Sequence, residues 1–197
     1  MNKIRKICVY CGSSPGADPA FLAAAELFGE ILARNGIGLV YGGGDLGLMG
    51  ATARAVLRSG GHVTGIIPRF LHKRENMLLD VQELIVVEDM HERKRLMFEK
   101  ADAFVALPGG IGTLEELVEQ LTWVQLDRHD KPVLIADIGG FWAPLLALLD
   151  HMREQGFIRA PFEARYLVRQ RIEEVLPALQ EAYAAVKTPN VNLRPEL

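Results

Sequence analysis

A chain of 197 residues and 21.8 kDa is long enough to bury one α/β core, and no shift in composition along it marks a second domain. A net charge of -3 and a pI near 6.0 exclude a global attraction to nucleic acid or to an anionic membrane, so phosphate recognition has to be local. The 49% hydrophobic content includes no uncharged apolar run near the ~18 residues of a membrane span, and the N-terminus passes directly into a strand-like run, so a cytoplasmic protein is expected.

The first apolar run, Lys6 to Cys11, carries the only two cysteines. In a strand their spacing points Cys8 and Cys11 to opposite faces, and without a second ligand pair they read as buried, reduced thiols rather than a metal or redox site. Asp18 and Pro19 supply an N-cap and a first-turn proline, Phe21, Ala25, Phe28 and Leu32 line one helical face, and Gly36 stops that helix. Further short runs follow at Gly38 to Tyr41, His62 to Ile67, Glu83 to Val87, Ala103 to Leu107 and Pro132 to Ala136. All are nearly continuously apolar, as strands covered on both faces should be. Helical patterns separate or follow them at Leu46 to Ser59, Met90 to Lys100, Thr113 to Leu126, Trp142 to Gln155 and Ile172 to Val186. This alternation predicts an α/β fold, a Rossmann-like doubly wound parallel sheet with helices on both faces, in one domain over residues 1–186. Residues 187–197, without periodicity, are expected to form an irregular tail.

In such sheets ligands bind beyond the carboxyl ends of the strands, near the switch in strand order. Three loops at strand ends are rich in glycine or small residues: Cys11 to Gly16 (CGSSPG), Tyr41 to Gly50 (YGGGDLGLMG) and Leu107 to Thr113 (LPGGIGT). Any one alone is most simply a tight turn. Three after buried strands point to phosphate binding, because backbone N–H groups at helix N-termini are ready anion sites. No Lys-Ser or Lys-Thr pair closes the glycines as a P-loop requires, and the dinucleotide fingerprint is missing after the first strand. Thr113-Leu-Glu-Glu116 has the form of a capping box, and a first-turn carboxylate there is expected to stay ionised beside the helix dipole. Asp89 to Lys100 places Arg93 near Asp89, Met90 and Met97; by charge pattern alone Glu92, Arg93, Lys94 and Arg95 are a solvated helix face. His72 to Glu75 reads as a solvated basic connection.

Taken together, Pro108-Gly109-Gly110-x-Gly112-Thr113-x-x-Glu116, Met90-His91-x-Arg93-Lys94, CGSS and VYGGGxxGLMG resemble the Lonely Guy (LOG) family of cytokinin riboside 5'-monophosphate phosphoribohydrolases, long labelled lysine decarboxylases. The similarity runs from about Lys6 to Tyr183. It implies a homodimer, or an assembly of dimers, that hydrolyses the N-glycosidic bond of AMP or N6-prenylated AMP to free base and ribose 5-phosphate. It also implies that Arg93 and Glu116 are catalytic, that Gly109, Gly110, Ile111, Gly112 and Thr113 bind phosphate, and that Glu75 contacts substrate. Gly12, Ser13, Gly43 and Gly44 from the first two loops, and Lys94, Glu115 and Thr122, are the remaining substrate positions it implies. The partner expected is a small nucleoside monophosphate, with no nucleic acid, membrane, metal or cofactor. A competing class is a non-catalytic nucleotide-binding or sensing module, for which Arg93 and Glu116 would be superfluous. A lysine decarboxylase would need a pyridoxal-phosphate lysine, and no lysine stands in a recognisable site for one.

Overall fold

Parallel pairing of short apolar runs, most of them returned by a helix, builds one seven-stranded sheet in the computed structural model, which describes residues 3–71, 78–158 and 165–187. The strands are Lys6–Tyr10 (β1), Gly38–Tyr41 (β2), Val63–Pro68 (β3), Glu83–Val87 (β4), Ala103–Ala106 (β5), Val133–Ala136 (β6) and Tyr166–Arg169 (β7). The helices are Pro19–Arg34 (α1), Gly47–Arg58 (α2), Met90–Lys100 (α3), Ile111–Gln125 (α4), Ala143–Glu154 (α5) and Val175–Lys187 (α6). Strand order is β4-β3-β2-β1-β5-β6-β7, with every adjacent pair parallel. The chain therefore winds outward from β1 to β4, then crosses back to start again at β5. The switch in order lies between β1 and β5, which is where such sheets leave a crevice.

Side-chain alternation along the strands sorts two cores. Ile7, Val9, Leu39 and Val105 pack under α1, α2 and α6, whereas Cys8, Tyr10, Val40 and Phe104 pack under α3, α4 and α5. Phe28 and Phe104 are fully buried, one in each core, and truncating either to alanine would cost about 3–5 kcal/mol. Cys8 and Cys11 do lie on opposite faces, both buried and unbridged, with burial raising both thiol pKa values. The expected cap of α1 is present, Asp18 Oδ1 accepting from the Ala20 amide at 2.8 Å.

Four expectations need correction. The Glu83 to Val87 run is an edge strand and buries only Val87 fully, so its apolar sequence does not mean cover on both faces. Tyr166–Arg169, half-buried at the opposite edge, is a strand that periodicity did not single out. α4 starts at Ile111 rather than Thr113, with Gly110 as its N-cap residue. α6 includes Lys187, so the tail begins no earlier than residue 188, and residues 188–197 lie outside the described residues.

Candidate active site

The β1 and β5 loops are stitched together at the switch point. Leu107 donates to the Tyr10 carbonyl at 2.9 Å, and Gly12 donates to the Pro108 carbonyl at 3.0 Å. Gly12 also turns its own carbonyl onto the start of α2, accepting from the Leu48 amide at 3.0 Å and the Met49 amide at 3.2 Å. Gly47 allows this crossing, because a Cβ there would sit 2.3 Å from the Ser13 carbonyl carbon, and its φ is +57°. The first amides of α2 are thus already satisfied from within the fold. At α1 the Asp18 carboxylate does the same. α4 is different: Gly110 supplies no side-chain cap, leaving the Ile111, Gly112 and Thr113 amides facing the cleft at the positive end of the helix dipole. Of three loops expected to offer anions a helix terminus, one has it open.

That terminus forms one wall of a cleft of about 330 Å³, within the usual range for small-molecule sites. Cys11, Gly12 and Ser13 come from the β1 loop; Met49, Leu71 and Met90 give an apolar side; Arg93, Glu115 and Glu116 bring charge. A larger cavity, about 400 Å³, opens at the amino ends of β6 and β7 beside Val124 and Val186. It lies at the end of the sheet away from the glycine loops and holds neither an open helix terminus nor the buried ion pair described next.

Arg93 and Glu116 meet inside the cleft, NH1 to Oε1 at 3.1 Å, each side chain only about a tenth exposed (10% and 9%). The solvated helix face that charge pattern suggests for Arg93 is therefore wrong. α3 turns Arg93 inward beneath the end of β3, where Nε donates to the Ile66 carbonyl at 3.2 Å and NH1 lies 3.9 Å from Met90 Sδ. Gly42, at the end of β2, leaves room for the guanidinium, since a Cβ there would lie 2.2 Å from NH2. Asp89 lies beside Arg93 as expected, its carbonyl accepting from the Arg93 amide at 3.2 Å, while its side chain caps α3, accepting from the Glu92 amide at 2.8 Å.

Glu116 is free of the capping role. Thr113 is the third residue of α4 rather than its cap, so Glu116 falls in the second turn, buried, facing Arg93. Its ionisation also departs from expectation. Burial pushes its pKa up to about 6, with Arg93 and Lys94 opposing and Glu115 and Glu119 adding to the rise. Desolvation outweighs the attraction of the two nearby cations.

The other implied positions divide. Gly12, Ser13, Gly110, Ile111, Gly112, Thr113 and Glu115 line the cleft, and Gly109 packs directly under the Thr113 side chain. Ile111 lines the cleft and is 81% exposed. Gly43 and Gly44 do not line it; Gly43 packs onto Ile66 and Ile67 of β3. Lys94 faces α4, not the cleft, at 2.7 Å from both Glu115 and Glu119. Thr122 is exposed farther along α4, roughly 13 Å from Thr113, its hydroxyl donating to the Val118 carbonyl at 2.8 Å. Glu75 lies outside the described residues. Met49, Leu71, Met90 and Gly42 are not among the expected site residues: the sequence marks Met90 only as a neighbour of Arg93 and part of a helix-start motif, Met49 and Gly42 only as part of a glycine-rich loop, and the contact that matters for Gly42 is with Arg93, 51 positions away in sequence.

A parallel sheet with a glycine-bounded, uncapped helix terminus and a buried Arg-Glu pair in one cleft at its switch point defines a Rossmann-like protein with a small-molecule-sized cleft. Residues 49–179 match the family model described as "Possible lysine decarboxylase". The chain is 46% identical over 181 residues to a cytokinin riboside 5'-monophosphate phosphoribohydrolase of Arabidopsis thaliana, an alignment covering 91% of this chain and 84% of that protein. A second Arabidopsis thaliana phosphoribohydrolase of the same name class is 50% identical over 158 residues, covering 80% of this chain and 74% of the relative. The chain belongs to the LOG family. Among solved structures, the molybdenum cofactor carrier protein of Chlamydomonas reinhardtii shares the fold, with a TM-score of 0.69 at 20% identity over 91% of this chain and 98% of that one. Among the described residues no lysine lines the cleft, where a pyridoxal-dependent decarboxylase would use one.

Proposed function

We propose that this protein hydrolyses the N-glycosidic bond of a purine nucleoside 5'-monophosphate, AMP or N6-prenylated AMP, releasing the base and ribose 5-phosphate. The observation that carries the reading is the pairing, in one cleft, of open amides at the start of α4 with a buried carboxylate one to two turns farther on. The amides of Ile111, Gly112 and Thr113 suit a 5'-phosphate. Glu116 suits the ribose carbon C1', which gains positive character as the base leaves. In the reaction the water oxygen bonds to C1' while the C1'–N9 bond breaks, its electron pair departing with the purine. One water proton stays on the new C1' hydroxyl and the other passes to Glu116, which later releases it to solvent, while the departing purine takes up one proton from solvent, so the protons balance. Arg93 holds the Glu116 carboxylate in place and keeps a planar, permanent charge at the site, a task lysine does not reproduce. Met49, Leu71 and Met90 offer the base an apolar wall.

A homodimer is part of the same reading. Val118 and Thr122 on α4 and Leu126 just past its end form an exposed stripe at helical spacing, with the two apolar members 41% and 64% exposed, which fits contact with a second copy and would give Thr122 a place there. Sedimentation equilibrium returning only monomer at micromolar concentration would remove the dimer. The activity is tested by incubating the protein with AMP, GMP, CMP and isopentenyl-AMP and measuring released base. Adenine or its prenylated form should appear with equimolar ribose 5-phosphate. No base from any purine monophosphate would reject the proposal and favour a nucleotide carrier or sensor.

A further inference from the structure

Consecutive residues of α3 reach consecutive residues of α4. Arg93 binds Glu116 inside the cleft, and its neighbour Lys94 binds Glu115 and Glu119 behind it, at 2.7 Å each. The Lys94 side chain is only 15% exposed and does not line the cleft. We infer that Lys94 is a positioning residue rather than a substrate ligand: it clamps α3 to α4 and partly offsets two carboxylates flanking Glu116, so that the Arg93–Glu116 pair keeps its geometry and Glu116 its charge. The role rests on the hydrolase reading above only for its effect on turnover.

Electrostatics supports the geometry. Although partial burial works against the Lys94 ammonium, Glu115 and Glu119 hold its pKa above the usual value, so it stays charged. The groups facing Glu116 are Arg93 and Lys94 from α3, Glu115 and Glu119 on its own helix, and Cys8, Tyr10 and Cys11 from β1 and its loop. Burial raises the pKa of both thiols and the phenol, so these are neutral where Glu116 titrates. The adjustable charges around Glu116 are therefore one lysine against two glutamates. Without the lysine, both glutamates repel the Glu116 carboxylate uncompensated, and its proton is held to higher pH.

The experiment follows the Glu116 side-chain carboxyl by carbon-13 NMR through a pH titration of the ligand-free protein. Wild type is compared with Lys94→Met, Lys94→Arg and Glu119→Gln. Lys94→Met should move the Glu116 midpoint up by about half a unit or more, Lys94→Arg should leave it near wild type, and Glu119→Gln should move it down. In turnover, Lys94→Met should lower kcat with KM nearly unchanged and shift the acid limb of kcat/KM upward. A several-fold rise in KM with an unmoved Glu116 midpoint would make Lys94 a substrate ligand and overturn the inference. If Lys94→Met does not fold, Glu119→Gln decides alone, and an unshifted midpoint there overturns it too. Since the titration needs no turnover, failure of the hydrolase reading would show separately, as absence of base release by the wild type.

Discussion

The starts of α2 and α4 follow equally glycine-rich loops, yet they end in opposite states. At α2 the Gly12 carbonyl occupies the Leu48 and Met49 amides, whereas at α4 Gly110 leaves the corresponding amides open to the cleft. The glycines differ in kind as well. Gly47 makes room for a backbone crossing, with Ser13 within 2.3 Å of where its Cβ would be, while an added Cβ at Gly112 meets nothing within 4 Å. One loop uses glycine to pack the fold together and the other to keep space for a ligand. A glycine-rich turn before a helix is thus an anion site only when nothing in the chain already fills it.

The largest expected effect is at the charged end of the open cleft. Glu116→Gln, which retains an oxygen for Arg93, and Arg93→Lys should each lower kcat for base release by at least ~100-fold with circular dichroism unchanged. Wild-type turnover in either would return that residue to a structural role. Next is the pH profile. With the Glu116 pKa raised to about 6 and the ionised form required, kcat/KM should fall about tenfold per pH unit below that value and level off above it. The same shift has a stability sign. The folded state holds a proton that the unfolded chain has lost between the ordinary carboxylate range and about 6, so the Glu116 contribution to stability declines as pH rises through that window. Glu116→Gln should remove that slope from the melting temperature.

The two glycines should then separate cleanly. Gly47→Ala forces a positive φ and a backbone overlap, costing at least about 2 kcal/mol, or roughly 4–8 °C in melting temperature. Gly112→Ala should leave the melt alone and raise KM about tenfold by crowding one phosphate contact. An equal loss of stability in both would erase the distinction between the loops. Smallest is Asp18→Ala, which opens the start of α1 and should cost about 1 kcal/mol in chemical denaturation without altering kcat, since that terminus lies outside the cleft.

Much of this was legible in the chain. Six strands were readable because parallel strands buried on both faces lose alternation and become short apolar runs, but Glu83–Val87 shows that an edge strand can carry the same signature. Tyr166–Arg169 ends in arginine and is only half-buried, so no such run marks it. The start of α4 was hidden by two weak helix formers, Gly110 and Gly112, ahead of a Thr-x-x-Glu pattern that mimics a cap. For Glu116 the sequence indicates position along a helix but not depth, and depth sets its proton affinity. Arg93 looked solvated because its neighbours Glu92 and Arg95 are charged; only the path of α3 beneath β2 and β3 turns it inward.

The contrast between the two helix starts can be read directly by titrating nitrogen-15-labelled protein with ribose 5-phosphate, the phosphorylated product. The account predicts that the Ile111, Gly112 and Thr113 amides shift most and that Leu48, bonded to Gly12, stays in place. Saturable shifts at Leu48 with the α4 amides unmoved would contradict it.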